Sequence, residues 1–277
     1  MESRVDRLTQ RWVRTTGRKI TFSDHPWLLG PVGGPVQIAD DWLPAEAERL
    51  GGTLLEGGGL LERMGDLAGD GFDPSHLASE IVSFYEQTSE YRMDVRPRWN
   101  RLALPFAWLI TSIFSRRLDQ LNLPLRANEA VDGIDSRVNV VQGESGVRIG
   151  AVWLRTLRAT GRTIYSGWYD TVTMPGASRQ SLRVIFPLPN GSVTVFLRPD
   201  VREDGALLLK SPVGSYGTDG AFLVVAQPDR ATGWVRRVPL GEEFVVYVDD
   251  SGALRTDHVL SLWKVPVLQL SYRMVNL

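Results

Sequence analysis

From Ser136 to the C-terminus, apolar and polar residues alternate in short runs separated by turn-forming residues. A period of two puts neighbouring side chains on opposite faces of a strand. The pattern predicts strands over 136–142, 147–158, 162–173, 180–187, 192–198, 205–211, 220–226, 233–238, 243–249, 254–263 and 267–275. Between them lie GESG, ATG, LPNGS, EDG and DDSG, of which Asn190-Gly191 and Asp250-Ser251-Gly252 are the clearest hairpin signals. Strands joined in sequence make a meander, and a long meander hides its edges by closing or folding over. The expectation is a β-dominated α+β fold, an antiparallel meander closed into a barrel or half-barrel and covered by two packed helices.

Upstream the period is helical. Asp73 and Pro74 suit a cap and a first helical position. Leu77, Ile81, Phe84, Tyr85 and Thr88 then recur on one face. A second helix is predicted from Pro105, with Phe106, Leu109, Ile110, Ile113, Phe114, Leu118 and Leu121 as its apolar stripe and Pro124 just beyond its end. Tyr91–Trp99 reads as extended. Residues 23–74 are rich in Gly and Pro and read as turns and short helices, one over Asp41–Leu50 with Asp40 or Asp41 as cap and Gly51 as stop. Gly57–Gly59 lacks the Lys-Ser/Thr that follows a phosphate loop, and reads as a mobile loop. Residues 1–132 would thus cover the sheet or barrel of 133–277 in one integrated unit.

Composition narrows the chemistry. The chain has 277 residues, a net charge of -1 and no cysteine. The charge disfavours a nucleic-acid partner, and the missing thiols exclude disulfides and thiolate chemistry. Only Lys19, Lys210 and Lys264 are lysines; the dominance of arginine reads as genomic composition first and selection for anion binding second. The N-terminal MESRVDRLTQRWVRTTGRK has no apolar core and is not a secretory signal. Leu102–Phe114 is too short to span a bilayer, which takes roughly 18 apolar residues or more. Arg96, Arg98, Arg101, Arg116 and Arg117 flank it, so it suits a buried helix first and a membrane-surface segment second. The expected location is the bacterial cytoplasm.

The histidines, His25, His76 and His258, show no metal-ligand spacing, and neither a GxSxG elbow nor a strand–GxGxxG–helix unit is present. No metal or cofactor is expected. Two residues break the apolar alternation: Arg155 shares a face with Trp153 and Leu157, and His258 lies between Thr256 and Leu260. A charge in an apolar lining needs a partner or a task. For Arg155 the structural reading is a head that reaches water or an ion pair. For His258 it is a neutral ring satisfied within the core. The functional reading makes His258 and Arg155 catalytic, with Tyr165, Tyr169, Trp153 and Thr256 holding substrate. Asp170 alternates to the other face. The expected function is a cofactor-independent cyclase or isomerase acting on an apolar, polyketide- or terpenoid-like molecule. The alternatives are a non-catalytic lipid or apolar-ligand binder, peripheral to a membrane, and a structural partner domain.

VWLRTLR (152–158), VIFPLPNG (184–191) and HVLSLWKVPVLQLSYRM (258–274) resemble the C-terminal soluble region of bacterial YndJ-like proteins, over roughly residues 80–277. In longer relatives transmembrane helices accompany this region, and this chain lacks them. The resemblance implies a portable β-rich module. It implies no activity and no role for Arg155 or His258.

Overall fold

The computed structural model describes residues 4–34, 41–99, 134–158, 161 and 163–277. The helix expected from Pro105 and the apolar run Leu102–Phe114 lie outside these residues. From the N-terminus the elements are α1 (Arg4–Thr16), β1 (Arg18–Thr21), α2 (Trp42–Arg49), β2 (Gly52–Glu56), α3 (Ser79–Glu86) and β3 (Tyr91–Trp99). All eleven alternating segments follow as strands: β4 (Ile134–Gly143), β5 (Arg148–Leu157), β6 (Thr163–Thr173), β7 (Gln180–Leu188), β8 (Gly191–Val201), β9 (Leu207–Ser211), β10 (Gly220–Ala226), β11 (Thr232–Arg237), β12 (Leu240–Val248), β13 (Leu254–Leu262) and β14 (Val265–Asn276).

The strands form one 14-stranded sheet whose main path runs β2-β4-β5-β6-β7-β8-β9-β12-β13-β14-β3, every neighbour antiparallel. β8 is long enough to serve two partners on one edge. Its Gly191–Phe196 stretch pairs with β10, and Arg198–Val201 pairs with β9. From β10 a short branch continues through β11 to β1. The N-terminal half therefore supplies three strands to the sheet.

The sheet does not close into a barrel. Closure needs a ladder between β3 and β4, and β2 already occupies the edge of β4 from Asn139 to Gly143. Among the described residues β3 and β4 share no ladder. The two ends meet through side chains instead, with Val95 of β3 packed against Ile134 and Leu157.

The expected helix from Asp73 is split. Asp73 accepts a hydrogen bond from the Ser75 amide at 2.9 Å and caps only a 3-10 turn, Pro74–His76. Leu77 and Ala78 are then extended, and the Ala78 amide donates to the Gly205 carbonyl of the β8–β9 turn at 3.1 Å. That tertiary bond takes the amide a continuing helix would use, so α3 starts afresh at Ser79. Its Ile81, Phe84 and Tyr85, with Leu60, Met64 and Leu67 from the preceding loop, fill the concave face of the sheet.

The convex face is also covered. Trp27 packs edge-on against Phe222, and at 5.3 Å against Phe196, over β8 and β10. α2 lays Trp42, Leu43 and Ala47 over Val152, Trp168 and Ile185. This explains why β7, β8 and β10 are buried almost without alternation.

α2 ends at Gly51, whose φ of +62° stops it as expected. It is anchored by Glu46, whose side chain is 2 % exposed. The carboxylate accepts from Arg49 Nη2 at 2.6 Å and from Arg230 Nη1 at 2.7 Å. Burial pushes this carboxyl up, and the guanidinium hydrogen bonds more than reverse it, so it lies below its ordinary value of 4.5. The stability it contributes is present above that ordinary value and is lost as pH falls through the lowered folded value. Glu46→Gln is expected to cost about 2–3 kcal/mol at neutral pH and less in acid. Urea unfolding of both proteins from about pH 3 to pH 7 measures this; a cost that does not shrink in acid contradicts the ion-pair account.

Candidate functional site

Alternation brings one set of polar side chains to the concave face. β5 contributes Trp153 and Arg155, and β6 contributes Tyr165 opposite Arg155 and Tyr169 opposite Ala151. β13 contributes Thr256 and His258. Their neighbours across the sheet are Tyr272 of β14 and Phe244 of β12, respectively.

The Arg155 guanidinium lies over the Trp153 ring at 3.6 Å, over Tyr165 at 4.8 Å and over Tyr272 at 5.6 Å. Its charge opposes the upward push that burial gives the Tyr272 hydroxyl. Among the described residues no carboxylate forms an ion pair with it, and its buried Nε has no hydrogen-bond partner. Arg155 is half-buried, and no ion pair with a described residue accounts for it. It is a cation held in an aromatic cage.

Tyr165 and Tyr169 hydrogen-bond to each other through their hydroxyls. Burial raises both, Tyr165 well above its ordinary value and Tyr169 to about 12, although the charge of Arg155 draws each back. Tyr272 is raised by burial in the same way. All three hydroxyls therefore stay protonated at physiological pH and are neutral donors.

His258 is buried and stacks on Phe244 with ring centroids 3.7 Å apart and planes at 14°. Its Nε2 lies 3.2 Å from Glu242 Oε2, within ion-pair distance but not aligned as a hydrogen bond. Nδ1 has no hydrogen-bond partner among the described residues. No carbonyl or hydroxyl among the described residues satisfies this ring. The charge of Glu242 acts on Tyr165, Tyr169 and Tyr272, so the His258–Glu242 pair and the Arg155 cage form one electrostatic group. Thr256 is spent internally, its hydroxyl directed at Met274 Sδ at 3.7 Å.

The group lies beside the seam between β3 and β4. Tyr272 is opposite Val95 of β3, and Arg155 is opposite Ser136 of β4, whose hydroxyl accepts from Trp153 Nε1 at 2.7 Å. A separate cleft, lined by Phe22, Leu28, Val224 and Arg230 among others, touches none of these residues and is too tight for a water molecule. Asp170 is on the convex face, as its alternation requires, and is bound to Arg183 and Trp168.

Of the six site residues read from the sequence, Trp153, Arg155, Tyr165 and Tyr169 come together, His258 joins through Glu242, and Thr256 takes no polar part. Glu242 and Tyr272 were missed. Glu242 has the parity of the buried Val246, and starting that strand at its true first residue, Leu240, would have exposed it. Tyr272 alternates with Leu268, Leu270 and Met274, all buried.

No family model matches the chain, and no solved structure matches it. Among the described residues no helix is long and apolar enough to cross a membrane. The chain is similar to a Bacillus subtilis (strain 168) protein described as "Uncharacterized membrane protein YndJ", with 28 % identity over 225 residues. That stretch is 79 % of this chain and 38 % of the relative, so the chain spans well under half of that protein's length. The YndJ-like resemblance carried by the three sequence segments thus extends over most of the chain.

Proposed function

We propose that this domain binds an apolar small molecule with an anionic or carbonyl head, and that it does so at a membrane surface. The supporting observation is Arg155. Arg155 is half-buried with its Nε shut off from water, and the cost of partly desolvating a cation without an anion is only partly returned by cation–π contacts worth about 0.5–2 kcal/mol. An anionic head placed on the free Nε, with tyrosine hydroxyls as further donors, would make up the difference through charge-assisted hydrogen bonds. The ligand body would displace side chains of α3 and the preceding loop from the apolar concave face, and the unladdered seam would admit it. The membrane part draws on Leu102–Phe114 with its flanking arginines, and on the description of the Bacillus relative as a membrane protein.

The test is titration calorimetry of delipidated protein with a long-chain fatty acid and with its methyl ester. Arg155→Met is expected to weaken the acid by about 10- to 100-fold, matching the roughly 1.5–3 kcal/mol of a hydrogen bond to a charged group. The ester should change far less. Equal losses for acid and ester would remove the anchoring role.

A second reading is favoured by one observation, His258 beside Glu242 with protonated tyrosines in electrostatic reach. Such a group can move a proton without a cofactor, as cyclisation or isomerisation of a polyketide- or terpenoid-like chain requires. Turnover of a polyene that His258→Ala abolishes while binding persists would establish it. Tight binding without turnover decides for the binder.

A further inference from the structure

We propose that the β13–β14 hairpin tip, Leu262–Val265, is the part of this domain that enters the interfacial layer of a bilayer; this rests on the membrane part of the reading above. The tip is a two-residue turn in which Trp263 and Lys264 both have positive φ, at 52° and 92°. Such turns favour Asn-Gly because bulky residues are strained there. Folding does not explain a tryptophan at this place, since its side chain is 63 % exposed and packs on little. Val265 beside it is 57 % exposed. Val213, 39 % exposed, lies next to Gly241 at the same end of the sheet. Tryptophan prefers the headgroup region of a membrane, and lysine reaches from there to the phosphates.

Two further observations choose a bilayer as the occupant. First, the backbone of Trp99 pairs with Leu268 at this same end, and in sequence Trp99 stands three residues before the apolar run that starts at Leu102. Second, the opposite end of β12 and β13 has the contrary character. There Asp249 is occupied by the amides of Ser251 and Ala253 and by Arg255, and Asp250 is exposed beside it. The turn at one end thus carries exposed apolar side chains and Lys264, and the turn at the other carries Asp250 beside an Asp249 paired with Arg255. An anionic leaflet would attract the first and repel the second.

The absence of cysteine allows a direct test on the full chain. Trp263→Cys and Asp250→Cys variants are labelled with an environment-sensitive fluorophore and mixed with vesicles of equal parts phosphatidylcholine and phosphatidylglycerol. The expected result is a blue shift at position 263, none at position 250, and about tenfold weaker co-sedimentation for Trp263→Ser. Unchanged thermal melting would show that Trp263→Ser still folds. If the unlabelled chain does not sediment with vesicles, the membrane reading fails and this inference with it. If it sediments while the probe at 263 stays in water, the inference alone is overturned. A shift without vesicles that grows with protein concentration, together with a dimer by ultracentrifugation, also overturns it, because a second copy then covers the tip.

Discussion

Replacing Arg183 by alanine is expected to lower the free energy of unfolding by about 3–5 kcal/mol, the usual result of breaking a buried ion pair from one side. Arg183 and Asp170 are 11 % and 13 % exposed. Arg183 Nε donates to Asp170 Oδ1 at 2.7 Å, and Nη2 pairs with Oδ2. Nη1 donates to the carbonyls of Trp27 at 3.0 Å and Leu29 at 2.8 Å. One guanidinium thus neutralises a carboxylate on β6 and fastens the segment that covers β8 and β10. Alanine would leave Asp170 with only the Trp168 indole, at 2.8 Å, and would free two carbonyls. Arg183→Lys restores the charge but not the fork, and should recover less than half of the loss. Ligand affinity should be unchanged in variants that remain folded, because the pair is on the convex face. Chemical denaturation with a binding titration checks both statements; a loss below about 1 kcal/mol would mean that water satisfies these groups.

The second large effect is expected at Gly59. A Cβ there would collide with the carbonyl oxygen of Tyr85 and the carbonyl carbon of Glu86. Both are backbone atoms at the end of α3 and cannot turn aside as a side chain could. The contact is held by a row of hydrogen bonds: the Leu60 amide to Thr88 Oγ1 at 3.2 Å, the Leu61 amide to the Tyr85 carbonyl at 3.0 Å, and the Met64 amide to Glu86 Oε1 at 2.7 Å. Gly59→Ala must stretch that row or shift α3 within the core, at a cost of about 3 kcal/mol. A loss under about 1 kcal/mol in urea unfolding would show that the loop can back away without strain. The triple glycine, which its composition suggested was a mobile loop, is at this position a close approach of two backbones.

The strands of the second half were legible because alternation is a local property. Even Arg155 and His258 could be assigned to the concave side from parity alone. β2 escaped notice because four of its five residues are exposed, so Leu54 and Leu55 break any alternation. α1 escaped because it buries little, with Val13 inward while Leu8 and Trp12 face water. Closure was not legible for another reason. It depends on which strands pair across long stretches of chain, as β3 does with β14 and β1 with β11, and those pairings leave no periodic mark. The cage around Arg155 falls between these cases. Its members were visible one by one, but their meeting depends on the sheet curving until β14 faces β5.

The junction of β3 and β4 has a consequence of its own. Because Val95, Ile134, Leu157 and Tyr165 hold it by apolar contact, parting the two strands there would break no ladder among the described residues. If the proposed ligand enters there, the bore is a matter of side-chain volume at these four positions. Relatives of this domain could admit thicker or thinner guests by exchanging valine, isoleucine and leucine for one another, while the woven part of the wall stayed as it is.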